Sequence, residues 1–242
     1  MARYYIPNHV FFVSEGHSVV FLDPRRDQYS LLLGDKARAF QVLLPATVGS
    51  LQELQVADSA TRDATQSLVQ ELLSELASNH LLTTERFESA TKSDDISLPD
   101  EDLLQMEDAP VTTTTLLDLL RFLVSCTKAR WRLKFQSIED TVRLLKSRKD
   151  NRDRHLTPSA ESELRRLTHV FRKLRPLFPM DFLCLFDSMS LMEFLAQYGF
   201  YPDMIFAVKL DPWSAHCWLQ YGTLALNQDF DEARAYRPIM AV

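Results

Sequence analysis

The chain has 242 residues, 46% hydrophobic and 10% aromatic, a composition able to bury a core in one large domain or two small ones. Its net charge of −6 argues against a nucleic-acid or membrane-surface protein, since both need a basic excess. Three cysteines (Cys126, Cys184 and Cys217) with no Cys-x-x-Cys pair argue against a disulfide framework and a structural zinc site.

Met1 to Phe12 carries one basic residue ahead of a short mixed segment, unlike a signal peptide. No apolar run reaches the roughly 18 residues that span a bilayer; Leu116 to Val124 is interrupted by Asp118 and Arg121. A cytoplasmic protein with free thiols and no membrane span is expected.

In chain order, Val10 to Val13, Ser18 to Leu22 and Gln28 to Leu33 read as strands, separated by the turn signals Glu15-Gly16 and Asp23 to Asp27. Gly34 breaks the run, and Lys36 to Leu44 has the apolar pattern of a short helix that Pro45 stops. From Thr61 to Leu82, Ala64, Leu68, Leu72, Leu73, Leu76 and Ala77 recur at helical spacing. Residues 1–86 are thus expected to form a β-β-β-α-α domain. Residues 87–112 hold Asp94, Asp95, Asp100, Glu101, Asp102, Glu107 and Asp108 and read as an acidic linker, with room for a short helix at 100–106.

Residues 113–242 form the second expected domain. Leu116, Leu117, Leu119, Leu120, Leu123 and Val124 make an apolar stripe on a first helix, continued by Trp131, Leu133 and Phe135; Cys126 on it is expected in the core. Pro158 opens another helix through Leu164, Leu167, Val170, Phe171 and Leu174. Residues 128–175 hold fifteen Lys or Arg against six Asp or Glu, either as solvated helix faces or as a docking face for an acidic segment, including the chain's own linker.

Asp181 to Gly199 reads as a helix with Asp181 as N-cap and Gly199 at its end, which puts Cys184 in the first turn. There the free N–H groups and the helix dipole favour a thiolate, the nucleophilic form of cysteine. Met204 to Leu210, His216 to Gln220 and Thr223 to Asn227 read as strands joined by turns at Asp211-Pro212 and Tyr221-Gly222. On the middle strand His216, Trp218 and Gln220 share one face, Cys217 and Leu219 the other, so Cys217 is expected in the core, facing away from the base. Trp213 and Trp218 either wall a cleft or pack the sheet. A helix-borne cysteine followed by a histidine on an antiparallel strand is the order of papain-like and transglutaminase-like enzymes.

The motifs Cys184 to Leu191 (CLFDSMSL), Tyr198-Gly199-Phe200, Phe206 to Leu210 (FAVKL), Pro212 to Gln220 (PWSAHCWLQ), Leu226-Asn227 and Tyr236 to Ile239 (YRPI) together resemble the lasso peptide leader peptidases, the B proteins of lasso peptide biosynthesis. The resemblance covers residues 181–239 in order and spacing. It implies an α+β protein whose C-terminal domain is papain/transglutaminase-like, with helices and an antiparallel sheet, and a Cys-His-Asp triad that cuts the leader from a ribosomally made precursor. Cys184 is then the nucleophile and His216 its base. The family's third residue is the Asp of an Asn-Asp pair, whereas this chain has Asn227-Gln228-Asp229. A three-residue turn at 221–223 puts Gln228 opposite His216, a two-residue turn puts Asn227 there, and a local slip offers Asp229.

With that family in view, the Val19 to Tyr29 stretch resembles a winged-helix-like precursor-recognition domain related to the pyrroloquinoline quinone synthesis D protein. The resemblance implies β-augmentation, in which a leader peptide adds to the edge strand 28–33 and touches residues such as Tyr29, Leu31, Leu68 and Leu72. DNA binding, the other use of a winged helix, is opposed by Asp63, Glu71 and Glu75 on the later helix. The implied partners are a lasso precursor peptide and an asparagine-synthetase-like lasso cyclase, with no nucleic acid. The chemistry needs no cofactor or metal, and His9, His17, His80, His155 and His169 lack ligand-like spacing. A transglutaminase-like acyl transferase and a catalytically decayed leader-binding adaptor are the competing functions.

Overall fold

The computed structural model describes residues 4–43, 53–54, 63–85, 96–104, 113–149 and 157–242, and the fold is α+β. Pro45, the side chain of Ala64, residues 87–95 and 105–112 of the expected linker, and His155 lie outside the described residues. The chain divides into two compact units, Met1–Asp95 and Ile96–Val242.

In the first unit, β1 (Tyr4–Tyr5), β2 (Phe11–Glu15), β3 (Ser18–Asp23) and β4 (Gln28–Leu33) precede α1 (Gly34–Leu43), β5 (Glu53–Leu54) and α2 (Asp63–Ser78). Strands β2, β3 and β4 form an antiparallel meander in that order, so β4 is an edge. The β3–β4 turn is set by Asp23, whose Oδ1 accepts from Arg25 N at 2.9 Å, and by Asp27 at φ 52°, a left-handed backbone that Asp tolerates. One sheet face supplies Val19, Phe21 and Leu32, which pack against Ala37, Phe40, Leu72 and Leu76 of the helices. The Phe21 and Phe40 rings meet edge-on at 5.1 Å. Helix α2 ends short of Leu82, because His80 turns left-handed (φ 59°) and Leu81 N returns to Leu76 O at 2.9 Å. The β1–β5 pair and the Tyr5–Thr83 bridge are too short and too far apart in sequence to show as patterns.

The second unit contains β6 (Glu101–Asp102), α3 (Leu116–Phe135), α4 (Ile138–Lys149), α5 (Pro158–Leu174), a 3-10 turn (Arg175–Leu177), α6 (Cys184–Ala196), β7 (Asp203–Leu210), β8 (Trp213–Tyr221), β9 (Leu224–Ala225), α7 (Phe230–Ala233) and β10 (Arg237–Ala241). Its sheet runs β10-β7-β8-β9-β6, antiparallel except for the parallel β6–β9 pair. Helix α6 packs against α3 and β8 and is buried over most of its surface, including the polar Asp187, Ser188, Ser190 and Glu193.

Two expectations for this unit are corrected. The linker reading fails at 96–104, where β6 pairs with β9 and no helix forms. Asp102 is buried and its carboxylate accepts from Leu104 N (2.7 Å) and Phe230 N (3.0 Å), while Gln220 and Arg234 donate to Ser97 O and Pro99 O. A carboxylate this well supplied with donors is structural, not a solvating charge. Part of this segment also meets the basic helix α5, through Arg165–Glu101 at 3.7 Å and Arg172 to Leu103 O at 3.2 Å.

The α3 stripe is also not the buried face. Leu116, Leu117, Leu120 and Val124 are exposed, while Asp118, Phe122, Ser125, Cys126 and Ala129 face inward. Small and polar residues are accepted there because the residues that follow α6 supply partners: Tyr198 OH donates to Asp118, and Gln197 Nε2 donates to Ser125 Oγ at 2.7 Å. Several basic residues of 128–175 likewise neutralise buried carboxylates. Arg148 and Arg132 lie 3.0 and 3.5 Å from Glu193, and Arg175 lies 2.7 Å from Asp187. No helix of the described residues is long and apolar enough to cross a membrane.

Candidate active site

Helix α6 begins at Cys184, and its N-cap is Leu183 rather than Asp181; Leu183 is extended (φ −65°, ψ 154°) and contributes no side-chain cap. The first-turn amides therefore keep their partial positive charge beside the Cys184 thiol. Gly199, left-handed at φ 88°, closes the other end, where Phe200 N returns to Leu195 O at 3.1 Å.

Strand β9 pairs with Gln220 and Tyr221 of β8, and Leu226 N adds a bond to Leu219 O at 2.9 Å, so the open edge of β8 starts at Leu219 N and runs back toward Cys217. The start of α6 fills that edge. Ser188 Oγ donates to Cys217 O at 3.3 Å, and Asn227 Oδ1 accepts from Leu219 N at 2.8 Å. Asn227 Nδ2 donates to Asp187 Oδ2 (2.8 Å) and to Ser188 Oγ (3.0 Å), tying helix to strand. Because Cys184 meets β8 from its side, both His216 and Cys217 reach it, although they point to opposite faces of the sheet.

His216 Nε2 lies 2.6 Å from Gln228 Oε1. An amide oxygen only accepts, so Nε2 carries the proton and Nδ1 is left for the Cys184 thiol. The imidazole lies against the rings of Tyr236 (centroids 5.1 Å apart) and Trp218 (6.1 Å). Cys184, His216 and Gln228 are thus brought together. Asn227 is the helix–strand tie described above, and the Asp229 alternative is not realised: its carboxylate caps α7 by accepting from Glu232 N at 2.9 Å. Trp218 is entirely buried and donates Nε1–H to Gln220 Oε1 at 3.0 Å, so it packs the sheet; Trp213 is exposed.

The three thiols are electrostatically distinct. Hydrogen bonds to Cys184 from the Cys217 thiol, first, and then from His216 outweigh burial and bring its pKa down to about 4. Burial pushes Cys126 up to about 12, while donation to Cys184, together with burial, pushes Cys217 well above the ordinary range. Burial alone would lower His216, yet its bonds to Cys184 and Gln228 raise it above 6.5. Of the three thiols, Cys184 is the one that is a thiolate at neutral pH, and it faces a His216 whose protonated form its bonds favour.

The core position expected of Cys217 holds, with its thiol 3.9 Å from Ser188 Oγ, and that thiol in addition lowers the pKa of Cys184. Strand alternation could not reveal that the helix start approaches β8 edge-on. Replacing Cys217 with alanine removes one donor to the thiolate. The low-pH limb of Cys184 alkylation by iodoacetamide is then expected to move up by about one pH unit, while Cys217→Ser keeps it near the wild-type position.

The sequence-derived leader contacts lie in the first unit. Leu31 on edge strand β4 is 44% exposed, and Tyr29 and Leu68 are half-buried. Leu72 is fully buried in the core cluster and has no surface to offer a peptide. Among the described residues, no group of three or more His, Cys, Asp or Glu is placed to hold a metal ion.

A thiolate at a helix start, a histidine on the neighbouring strand and a group orienting its imidazole can attack a carbonyl and, with the imidazole protonated, protonate its leaving group. Comparison with curated proteins and with solved structures returns no match. Residues 123–241 match the model of the Transglutaminase-like superfamily, a span that runs from α3 to β10 and includes Cys184, His216 and Gln228. The chemistry is thus of the cysteine protease or acyltransferase kind, and the C-terminal part of this chain is a transglutaminase-like superfamily domain.

Proposed function

We propose that the protein is a leader peptidase of lasso peptide biosynthesis. The Cys184 thiolate attacks the carbonyl carbon of the leader–core peptide bond, and His216 Nδ1–H protonates the departing amine of the core. Water, deprotonated by the same nitrogen, then hydrolyses the thioester and frees the leader carboxylate. The observation that carries this reading is the ionised Cys184 facing a His216 fixed by Gln228, within a 181–239 segment that resembles that family in the order and spacing of its motifs.

The first unit takes the role of leader capture. Edge strand β4 offers main-chain groups to an added strand, and Tyr29, Leu31 and Leu68 offer side-chain contacts, with the exposed Leu33 beside them. The partners are the precursor peptide and an asparagine-synthetase-like cyclase that takes the freed core amine, and the setting is the cytoplasm.

The test is to incubate the protein with a lasso precursor and read the product masses. Two fragments that sum to precursor plus one water support hydrolysis. A new amide between the leader and an added amine makes the protein an acyl transferase, and an intact precursor that still binds makes it an adaptor.

A further inference from the structure

Gln228 stands where the resembling family carries a carboxylate, and a neutral amide has two weaknesses there. It supplies no charge, and it can rotate to turn its NH₂ toward the imidazole. The structure answers both with one residue. Gln228 is buried, and its Nε2 donates to Glu232 Oε2 at 2.7 Å while its Oε1 lies 2.6 Å from His216 Nε2. A carboxylate cannot donate, so the amide nitrogen must face Glu232 and the oxygen must face His216. Helix α7, capped by Asp229, holds Glu232 one turn from Gln228.

We propose that Glu232 is a positioning residue of the active site: through the relay His216–Gln228–Glu232 it locks the Gln228 amide, fixes the His216 tautomer with Nε2 protonated, and stabilises the imidazolium with its negative charge. The titratable groups that face His216 are Cys184 at the start of α6, Glu232 on α7 and the Tyr236 phenol after it. Of these, Glu232 is the anion that remains when Cys184 is consumed in the thioester. The relay therefore acts in deacylation as well, when His216 must take a proton from water.

The inference rests on the Cys–His chemistry of this site but not on which peptide is cut, so its test uses a small electrophile. The rate of iodoacetamide alkylation of Cys184 in the full chain is followed against pH, with Cys184→Ala as background. It rises once as the thiol ionises and again as His216 loses its proton. Removing a nearby negative charge destabilises the imidazolium, so in Glu232→Gln the upper step is expected to move down by roughly half a pH unit or more. In the swapped pair Gln228→Glu with Glu232→Gln, a carboxylate touches His216 and an amide stands behind it. There the upper step is expected to return to the wild-type position or above. Glu232 is exposed at the end of a short helix, and thermal melts of each variant accompany the rates. A Glu232→Gln profile superimposed on that of the wild type, or a swapped pair that stays shifted down, overturns the proposal. Cleavage of no lasso precursor would sink the peptide assignment and leave this result standing.

Discussion

Cys184→Ala is expected to abolish precursor cleavage, by on the order of 10⁴-fold or more, while leader binding is retained. No other thiol can substitute, because Cys126 is pushed up to about 12 and Cys217 is driven well above its ordinary value. Cys184→Ser is expected to be almost as damaging, since the site is built to hold an anion that a serine hydroxyl does not provide at neutral pH. The wild-type rate should follow the ion pair. It rises as pH passes the Cys184 value of about 4, holds through mildly acidic conditions, and falls as His216 deprotonates above 6.5. Cleavage measured by mass spectrometry from acid to alkaline pH checks this. Equal cleavage by wild type and Cys184→Ala would remove the nucleophile assignment.

Asn227→Ala is the second large effect, and it falls mainly on stability. One side chain accepts from Leu219 N and donates to Asp187 and Ser188, all three of which are buried. Its loss strands a main-chain donor and weakens the tie on a carboxylate that burial already holds above its usual range, despite Arg175 beside it. Each stranded buried group costs about 1–3 kcal/mol, so a destabilisation of about 3 kcal/mol is expected in urea melts. Asn227→Asp should be no better, because it sets a second carboxylate against Asp187. Activity should fall further than the fraction unfolded explains, since the same bonds hold the start of α6, and therefore Cys184, against β8. A loss below about 0.5 kcal/mol would mean that the helix–strand tie lies elsewhere.

The elements built from local patterns could be read directly from the chain. Strands β2, β3, β4, β7 and β8 have their apolar runs and turn residues next to one another, and Gly199 marks the end of α6 without reference to the rest of the fold. The helix start at Cys184 and the strand position of His216 are of this kind, which is why both catalytic candidates were visible. Segment 96–104 was not, because two residues of parallel pairing with β9 leave no periodicity, and the acidic character of Asp102 hides its role as a buried acceptor. The apolar stripe of α3 misled for a related reason. Periodicity identifies a face, but the polar partners at the end of α6, Gln197 and Tyr198, decide which face is buried.

The site itself divides along the same line. Residue chemistry and local structure alone determine a thiol at a helix start, a base on a strand and three candidates to orient it. The choice among Asn227, Gln228 and Asp229 depends on where β9 stops pairing and on which side chain the open edge of β8 captures, both of which are non-local. Once Asn227 is taken by Leu219 N and Asp229 by the cap of α7, Gln228 holds the imidazole. The tertiary structure also brings Cys217 to the thiolate and Glu232 to the amide, because packing joins an edge, a helix start and a one-turn helix that no spacing rule connects.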